Sequence, residues 1–292
     1  MKPPPFSYHD PRTVAEAVSL LSTLENPKLL AGGQSLMPML NMRFVLPDHV
    51  IDLGKIDGLA YIREAPSKEG GNALEIGAMT RQRDIEFSEL IAAKHPLLRE
   101  GILNVGHRQT RNRGTIGGSL CHLDPAAEQV LVCLASDAIV TAAGPNGERA
   151  IPFREFPLAY MTPNLEPDEM LIGIKIPLWP AGHGYSFLEF ARRHGDFAVV
   201  SVAALLDVDA GGIIKRAAVA LGGVAAVPLR MDAVEARLVG QKASEELFRD
   251  AAEICRAIDA VADVHATVEY RQHLAAVLTR RALVQALAKV KR

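Results

Sequence analysis

Cysteine is scarce in this chain, with three residues among 292. Cys121, Cys133 and Cys255 are an odd number at wide spacings without a CxxC pair, which argues against a disulfide framework and against a zinc site. Three thiolates are also one fewer than the usual four that hold an iron–sulfur cluster. If electrons reach this protein from such a cluster, another chain carries it.

An excess of charge and a long apolar run are missing as well. The 32 Lys and Arg against 34 Asp and Glu leave a formal net charge of -2, so no global field attracts nucleic acid or an anionic membrane. No segment approaches the ~20 apolar residues of a membrane span, and the start MKPPPFSYHDP lacks the apolar stretch of a signal peptide. We therefore expect a cytoplasmic protein without nucleic acid or membrane partners, in which any polyanion is held locally.

The composition is that of an ordinary globular protein, 49% hydrophobic and 23% charged, and the length is enough for two domains. Residues 177–184, PLWPAGHG, are rich in Pro and Gly and read as a linker. The sequence therefore predicts an α+β protein with a cofactor domain over residues 1–177 and a C-terminal domain over residues 178–292.

Local patterns predict the elements of both domains. Thr13 followed by Glu16 forms a capping box ahead of an amphipathic helix. Before the linker, strands are predicted at 28–31, 49–53, 59–63, 73–79, 138–143 and 169–176, with helical segments at 82–105, broken at Pro96, and from Asp124-Pro125 to about Ala135. After it, strands at 185–193, 199–208 and 213–221 predict a three-stranded antiparallel sheet, followed by helices at 231–239, 244–257 and 267–290.

Two glycine-rich segments favour the binding of phosphate. AGGQS at 31–35 directly follows a predicted buried strand, where two glycines let the backbone turn sharply and expose successive N–H groups beside the Ser35 hydroxyl. TIGGS at 115–119 has the same elements and predicts a second nest for the other half of a pyrophosphate. Neither segment has the GxGxxG or GxxxxGK[ST] pattern of Rossmann and P-loop domains. The pair favours a dinucleotide, although paired glycines also form simple turns.

A family resemblance rests on four segments taken together: AGGQS at 31–35, TIGGS at 115–119, HLDPAAE at 122–128 and ARRHGDFA at 191–198. They resemble the medium, FAD-binding subunit of carbon monoxide dehydrogenase and its molybdenum hydroxylase relatives, and are similar to the FAD domain of xanthine dehydrogenase. The resemblance continues through GGVAAVPLR at 222–230 and the helical tail. It implies a PCMH-type FAD-binding domain in two parts, divided near residue 55, followed by the C-terminal domain of such flavoproteins.

The resemblance also implies roles for individual residues. The two glycine segments hold the FAD pyrophosphate in that family, the segment after them lies near the adenosine and ribityl portions, and one strand residue meets the flavin with its backbone. The matching positions are Ala31, Gly32, Gly33, Gln34, Ser35 and Leu36; Thr115, Gly117, Gly118 and Ser119; Cys121, Asp124 and Glu128; and Leu171. Gln34 replaces the His or Thr of other members.

The segment 191–198 resembles a mobile loop beside the flavin ring, which makes Phe197 the candidate flavin gate. Phe197 lacks the hydroxyl of the Tyr that some members carry, so it is expected to act by stacking. Asp124 has a second interpretation as a helix N-cap, and Leu171 as a plain core residue. Arg192 and Arg193 could favour an anionic flavin or acceptor, or form a solvated surface.

The resemblance implies an electron-transfer subunit that takes electrons one at a time from an iron–sulfur subunit and passes them to an external acceptor. It implies a large molybdenum-cofactor subunit and a small iron–sulfur subunit as partners, in a dimer of heterotrimers. Carbon monoxide, an aldehyde or an N-heteroaromatic compound could be the substrate of the complex, and the acceptor stays open. A standalone FAD oxidoreductase and a non-catalytic nucleotide-binding scaffold are the alternatives.

Overall fold

The computed structural model describes residues 1–66 and 71–291 of the chain. Helices and strands are mixed, and the predicted α+β class is confirmed. The strands are β1 (Ser7–His9), β2 (Pro27–Leu30), β3 (His49–Asp52), β4 (Ile62–Pro66), β5 (Asn72–Gly77), β6 (Ile139–Gly144), β7 (Gly147–Pro152), β8 (Pro157–Ala159), β9 (Thr162–Pro163), β10 (Met170–Pro177), β11 (Gly184–Phe190), β12 (Val200–Val208), β13 (Ile214–Gly222) and β14 (Leu229–Arg230). The α-helices are α1 (Val14–Thr23), α2 (Leu36–Asn41), α3 (Gln82–Phe87), α4 (Glu89–Lys94), α5 (Pro96–Asn104), α6 (Arg108–Arg113), α7 (Ile116–His122), α8 (Glu128–Ala135), α9 (Asp232–Leu238), α10 (Glu245–Glu253) and α11 (Val268–Lys289).

The N-terminal sheet is a small parallel one, in which β3 lies between β1 and β2. Helix α1 covers it. The predicted capping box is present, because the Thr13 hydroxyl accepts from the Glu16 N–H at 3.1 Å and the Glu16 carboxylate accepts from the Thr13 N–H at 3.3 Å. Helix α1 buries Ala17, Val18 and Leu21 against the N-terminal core. The AGGQS segment therefore leaves β2 at the carboxyl edge of a firmly packed sheet.

The central sheet is antiparallel and has the strand order β4-β5-β10-β6-β7. Its middle strand β10 pairs Ile174 with Ile76 on one side and with Val140 on the other. Helix α8 shares a hydrophobic core with this sheet, and all of its residues from Glu128 to Ala135 are buried. The prediction that this helix starts at Pro125 was wrong. The Asp124 carboxylate accepts from the Ala126 N–H at 2.8 Å and forms a turn that delays the helix to Glu128.

The C-terminal sheet is antiparallel with the order β11-β12-β13-β14, so it has four strands rather than the predicted three. The additional strand β14 spans only Leu229 and Arg230, which is too short to produce an alternating pattern in the sequence. On one face of β12, Ala203 and Leu205 belong to the core shared with α8. On the other face, Val202 and Ala204 pack in the core that α11 completes. Among the described residues no helix is both long and apolar enough to cross a membrane.

A buried ion pair fixes the helices that lead into the TIGGS segment. Arg111 on α6 donates from Nε to the Glu86 carboxylate on α3 at 2.8 Å and from Nη2 at 3.2 Å. Both side chains are under 10% exposed, at 8% for Arg111 and 9% for Glu86. Arg111 Nη1 also donates to the Val105 carbonyl oxygen at 3.0 Å. Each guanidinium nitrogen donates one hydrogen bond within the protein, and loss of the carboxylate would leave a buried charge without a counter-ion.

We predict that Glu86→Gln lowers the free energy of unfolding by about 3 kcal/mol at neutral pH, because the buried Arg111 charge loses its counter-ion. The hydrogen bond from Arg111 lowers the pKa of Glu86, so this stabilisation is present above the pKa of an unfolded glutamate and is lost as pH falls through the folded value. Urea unfolding at neutral and acidic pH measures both effects. Asp10→Asn, which removes an exposed ion pair with Lys55, is the control and should change little. Equal losses in the two variants would contradict the prediction.

Candidate functional site

A cavity of about 670 Å³ lies where the AGGQS segment, the TIGGS segment and the loop after β11 meet. It brings together all the site residues expected from the sequence. Those lining it are Ala31, Gly32, Gly33, Gln34, Ser35, Leu36, Thr115, Gly117, Gly118, Ser119, Cys121, Asp124, Glu128, Leu171 and Phe197. These positions are far apart in sequence, so their convergence is a property of the fold. Their individual roles toward a cofactor remain predictions.

The two glycine segments touch each other through their backbones. A Cβ atom on Gly32 would lie 2.3 Å from the Arg113 carbonyl oxygen and 2.7 Å from the Gly114 Cα. A Cβ atom on Gly118 would lie 2.8 Å from the Thr115 hydroxyl and 3.4 Å from the Ala31 Cβ. These distances are shorter than, or at the lower end of, normal contact, so side chains at Gly32 and Gly118 would separate the segments. The cavity wall at this point exists only because both residues are glycine.

The AGGQS segment has free backbone N–H groups after a sharp turn, as its sequence predicts. Gly33 has φ +72, which turns the chain between β2 and α2. The backbone N–H groups of Gly32, Gly33, Gln34 and Ser35 donate to no other group in residues 1–66 and 71–291. The Gln34 side chain instead bends back, and its Nε2 donates to the Gly32 carbonyl oxygen at 3.3 Å. Free backbone N–H groups beside the Ser35 hydroxyl fit a phosphate.

The TIGGS segment is the first turn of helix α7 and not a second nest, so that prediction was wrong. Thr115 is the N-cap, and its hydroxyl accepts from the Gly118 N–H at 3.0 Å. The Gly117 N–H donates to the Ala78 carbonyl oxygen at 2.8 Å, which leaves these donors unavailable to an anion. Gly117 is required because its Cβ would lie 2.6 Å from the same oxygen. This segment contributes a close backbone surface and the Ser119 hydroxyl rather than a row of free N–H groups.

Carboxyl groups dominate the charged residues of the cavity wall. Among the described residues that line it, the acidic side chains are Asp124, Glu128, Glu166, Glu169 and Asp196, against one lysine, Lys28. Burial, with smaller contributions from the charges of Glu189 and Asp124, raises the pKa of Glu128 to about 8. This shift favours the protonated form of Glu128 at neutral pH. The donors that this wall offers to a polyanion are therefore neutral hydroxyl and N–H groups, and they lie beside one buried carboxyl whose uncharged form is favoured.

Cys121 and His122 end helix α7 on the cavity side. Burial raises the pKa of the Cys121 thiol to about 12, so it acts as a small apolar contact and not as a nucleophile. Burial also lowers the pKa of His122, so this imidazole is neutral and provides no fixed positive charge. The interpretation of Asp124 as a helix N-cap was wrong, because Ala127 is the N-cap of α8; the Asp124 carboxylate instead accepts from the Ala126 N–H in the preceding turn, and Asp124 also lines the cavity.

The loop between β11 and β12 closes one side of the cavity. Gly195 has φ +88, and a Cβ on it would lie 2.5 Å from Cε1 of His107. The rings of His107 and His194 are stacked with their centroids 6.4 Å apart. Phe197 stands at the cavity rim with 64% of its surface exposed. An exposed aromatic ring on a loop is well placed to cover a bound ring system.

Several lining residues escaped the sequence analysis. Gln82 Nε2 donates to the buried Gln129 Oε1 at 2.7 Å, and a Cβ on Gly114 would lie 2.3 Å from Gln82 Oε1. Arg149 Nε donates to Glu169 Oε1 at 2.6 Å, and this ion pair closes the cavity wall near β10. Gly114, directly before TIGGS, is the one local sequence signal for these residues, because a glycine can mark a position where another group lies close to the backbone. The partners of Gln82 and Glu169 depend on long-range pairing and leave no pattern in the sequence.

Known proteins are similar to this chain over its whole length. Residues 4–179 match the family described as FAD binding domain in molybdopterin dehydrogenase, and residues 185–286 match the CO dehydrogenase flavoprotein C-terminal domain. The 6-hydroxypseudooxynicotine dehydrogenase complex subunit alpha of Paenarthrobacter nicotinovorans is 36% identical over 100% of this chain and 97% of its own length. The nicotine 6-hydroxylase medium subunit of the same organism is 37% identical over 99% of this chain and 100% of its own.

A solved structure agrees with the sequence relatives. A chain of the carbon monoxide dehydrogenase from Hydrogenophaga pseudoflava superposes with a TM-score of 0.95 at 37% identity, covering 100% of both chains. The family model spans more than half of the chain and includes both glycine segments. The protein therefore belongs to the family of FAD-binding flavoprotein subunits of molybdopterin dehydrogenases, the carbon monoxide dehydrogenase medium chains and their relatives.

Proposed function

We propose that this chain binds FAD in the cavity and serves as the electron-transfer subunit of a molybdenum hydroxylase. The observation that carries the proposal is the convergence of two glycine segments, free backbone N–H groups and an exposed aromatic ring on one cavity of about 670 Å³. This volume lies within the range of cofactor sites. FAD supplies the ability to take electrons singly and release them as a pair. Every other contribution comes from the residues of the chain.

Each part of the wall has a proposed role toward FAD. The free N–H groups of the AGGQS segment and the hydroxyls of Ser35 and Ser119 hold the pyrophosphate. Asp124 and Glu128 meet sugar or ribityl hydroxyls, and Leu171 contributes its backbone and an apolar surface. Phe197 covers the flavin ring and limits the access of water and of the acceptor. Neutral donors suit this site because they bind phosphate without fixing a positive charge near the redox centre.

The remainder of the complex is proposed from the relatives. Relatives at similar identity are named for different substrates, 6-hydroxypseudooxynicotine, nicotine and carbon monoxide. If this subunit held the substrate pocket, relatives with different substrates would be expected to differ more from one another in this chain. We therefore place substrate oxidation on a large molybdenum-cofactor subunit. The iron–sulfur clusters would lie on a small subunit, and the complex would be a dimer of heterotrimers. We also propose a cytoplasmic location. The FAD domain would span residues 1–177, in two parts divided near residue 55, and the C-terminal domain residues 178–292, in keeping with the two family matches.

The visible absorption spectrum of the purified chain tests the proposal. We expect a flavin spectrum, or its appearance after FAD is added, with bleaching by a chemical reductant or by reduced iron–sulfur partner. Candidate substrates alone should not bleach it. Bleaching by a substrate would indicate a standalone oxidoreductase, and a chain that cannot be loaded with FAD would refute the proposal in favour of a scaffold.

We predict that Gly118→Val abolishes FAD retention, with at least about a hundredfold weaker binding, because a side chain at this position enters the space between Thr115 and Ala31. Isothermal titration of the apoprotein with FAD measures the change, and circular dichroism monitors the fold. Gly211→Val makes the same change in the exposed turn between β12 and β13 and should retain FAD. Gly33→Val is a poorer test, since φ +72 strains any substitution. Unchanged binding by the Gly118 variant would remove this segment from the pyrophosphate site.

We predict that Phe197→Ala retains FAD but changes its reoxidation rate severalfold, because the ring that covers the flavin is lost while the phosphate contacts remain. Stopped-flow reoxidation of the reduced isolated chain measures the effect. Phe44→Ala removes another exposed ring, 73% exposed and outside the cavity, and is the matched control. Identical rates in wild type and both variants would show that Phe197 is not a gate.

A further inference from the structure

A pair of histidines joins two segments of the cavity wall. One segment is the loop of residues 191–198, named here the Phe197 loop, which places Gly195 and Phe197 in the wall. The other contains Gly106, which lines the cavity, and His107, which follows it at the start of helix α6. The rings of His107 and His194 are stacked at an interplanar angle of 11°. The two segments are far apart in sequence, so the fold alone brings these rings together.

Gly195 brings the backbone of the Phe197 loop against the His107 ring. Its φ of +88 is a conformation that favours glycine. A Cβ atom on Gly195 would lie 2.5 Å from Cε1, 3.0 Å from Nδ1 and 3.1 Å from Nε2 of His107. The imidazole therefore lies directly beside the Gly195 Cα, where a side chain would not fit. The loop is seated on His107 by this backbone contact as well as by the His194 ring.

The His107 side chain makes no hydrogen bond within the described part of the chain. His107 is the N-cap of α6, yet its side chain does not cap the helix. His95, the N-cap of α5, is buried and does cap, because its Nδ1 accepts from the Leu98 N–H at 3.2 Å. His107 is instead exposed, and its ring packs on the loop. Its imidazole is thus used for the loop contact rather than for helix capping.

The hydrogen bonds that fix the Phe197 loop are at its base or within it. The Val199 N–H donates to the Phe190 carbonyl oxygen at 2.7 Å, which closes the base. The buried Arg271 side chain donates to the Val199 carbonyl oxygen from helix α11. Inside the loop, the Asp196 N–H donates to the Arg193 carbonyl oxygen at 3.1 Å. Among the described residues, no hydrogen bond joins the loop to another part of the cavity wall.

The Phe197 loop is consequently the part of the wall that can move at the lowest cost. The AGGQS and TIGGS segments are in backbone contact with each other, and helix α8 is buried along its whole length. The loop is fixed at its base and is held toward the cavity by the contact with His107. A segment with few bonds to its surroundings opens with a small free energy. Loss of the His107 contact should lower that free energy further.

We propose that His107 is a positioning residue that keeps the Phe197 loop closed over the cavity and so sets the rates at which the cofactor enters and leaves. The inference rests on the proposed function, since that cofactor is FAD. Both sides of the contact belong to the protein, so the loop closes on His107 in the free chain and in the loaded chain. A weaker contact therefore speeds entry and release together, and the Kd, which is the ratio of the two rate constants, changes little. Damage to the binding surface would instead act mainly through faster release and weaken affinity.

His107→Ala is the primary test of the positioning role. Stopped-flow fluorescence of FAD measures association with the full-length apoprotein, and release is measured by mixing the loaded chain with an excess of a second flavin-binding apoprotein. We expect both rate constants to rise about fivefold, the effect of losing one aromatic pair, while Kd changes less than about twofold. His107→Phe keeps a ring against Gly195 and should restore rates close to those of the wild type. His265→Ala removes an exposed histidine outside the cavity and is the matched control.

Unchanged rate constants in His107→Ala would overturn the positioning role. Faster release with unchanged association would overturn it as well, because that result indicates a damaged binding surface. Should His107→Ala fail to fold, as judged by circular dichroism, His194→Ala removes the other ring of the stack and decides by the same two rate constants. A wild-type chain that takes up no FAD would refute the proposed function, and the role of His107 with it.

Discussion

The close approach of two backbone segments is the constraint on which the cavity depends. The AGGQS segment leaves the parallel N-terminal sheet, and the TIGGS segment begins a helix packed on the antiparallel central sheet. They meet at Gly32 and Gly118, where the absence of side chains lets the Arg113 carbonyl oxygen and the Ala31 methyl group come within contact distance. Any larger residue at either position would separate the two sheets and open the cavity wall.

The two segments have similar sequences, but their backbone N–H groups are used differently. In AGGQS the backbone N–H groups have no partners among the described residues, so they are available for an anion. In TIGGS the corresponding groups are used by the Thr115 cap and by the Ala78 carbonyl oxygen. One segment supplies donors and the other supplies a rigid, closely packed surface. The asymmetry is consistent with a single extended cofactor lying across both.

Helix α8 connects the cavity with the C-terminal sheet. All of its residues are buried, and it is packed against both β12 and the core around β10. Its first turn places Glu128 in the cavity wall, and the turn before it accepts a hydrogen bond at 2.8 Å from the Gly223 N–H, directly after β13, to the Pro125 carbonyl oxygen. Burial raises the pKa of Glu128 to about 8, with the charge of Glu189 on β11 among the smaller causes, which favours the uncharged form of this carboxyl in the cavity wall. The C-terminal sheet therefore shapes the electrostatics of a site formed mainly by residues before the linker.

Local patterns in the sequence were sufficient for features that depend on neighbouring residues. The capping box at Thr13, the alternating strands from β10 to β13, the Gly33 turn and the set of cavity residues could all be read from the chain, the last through the family resemblance. The helical form of TIGGS, the late start of α8 at Glu128 and the short strand β14 could not. Each of these depends on a partner distant in sequence or on a turn stronger than the local helix signal, such as the Ala78 oxygen for Gly117 and the Asp124 carboxylate for Ala126. The sequence alone thus indicated which residues line the cavity, whereas the tertiary structure decided which N–H groups stay free and which carboxyl has its pKa raised by burial, because burial and hydrogen-bond competition arise only when distant segments pack together.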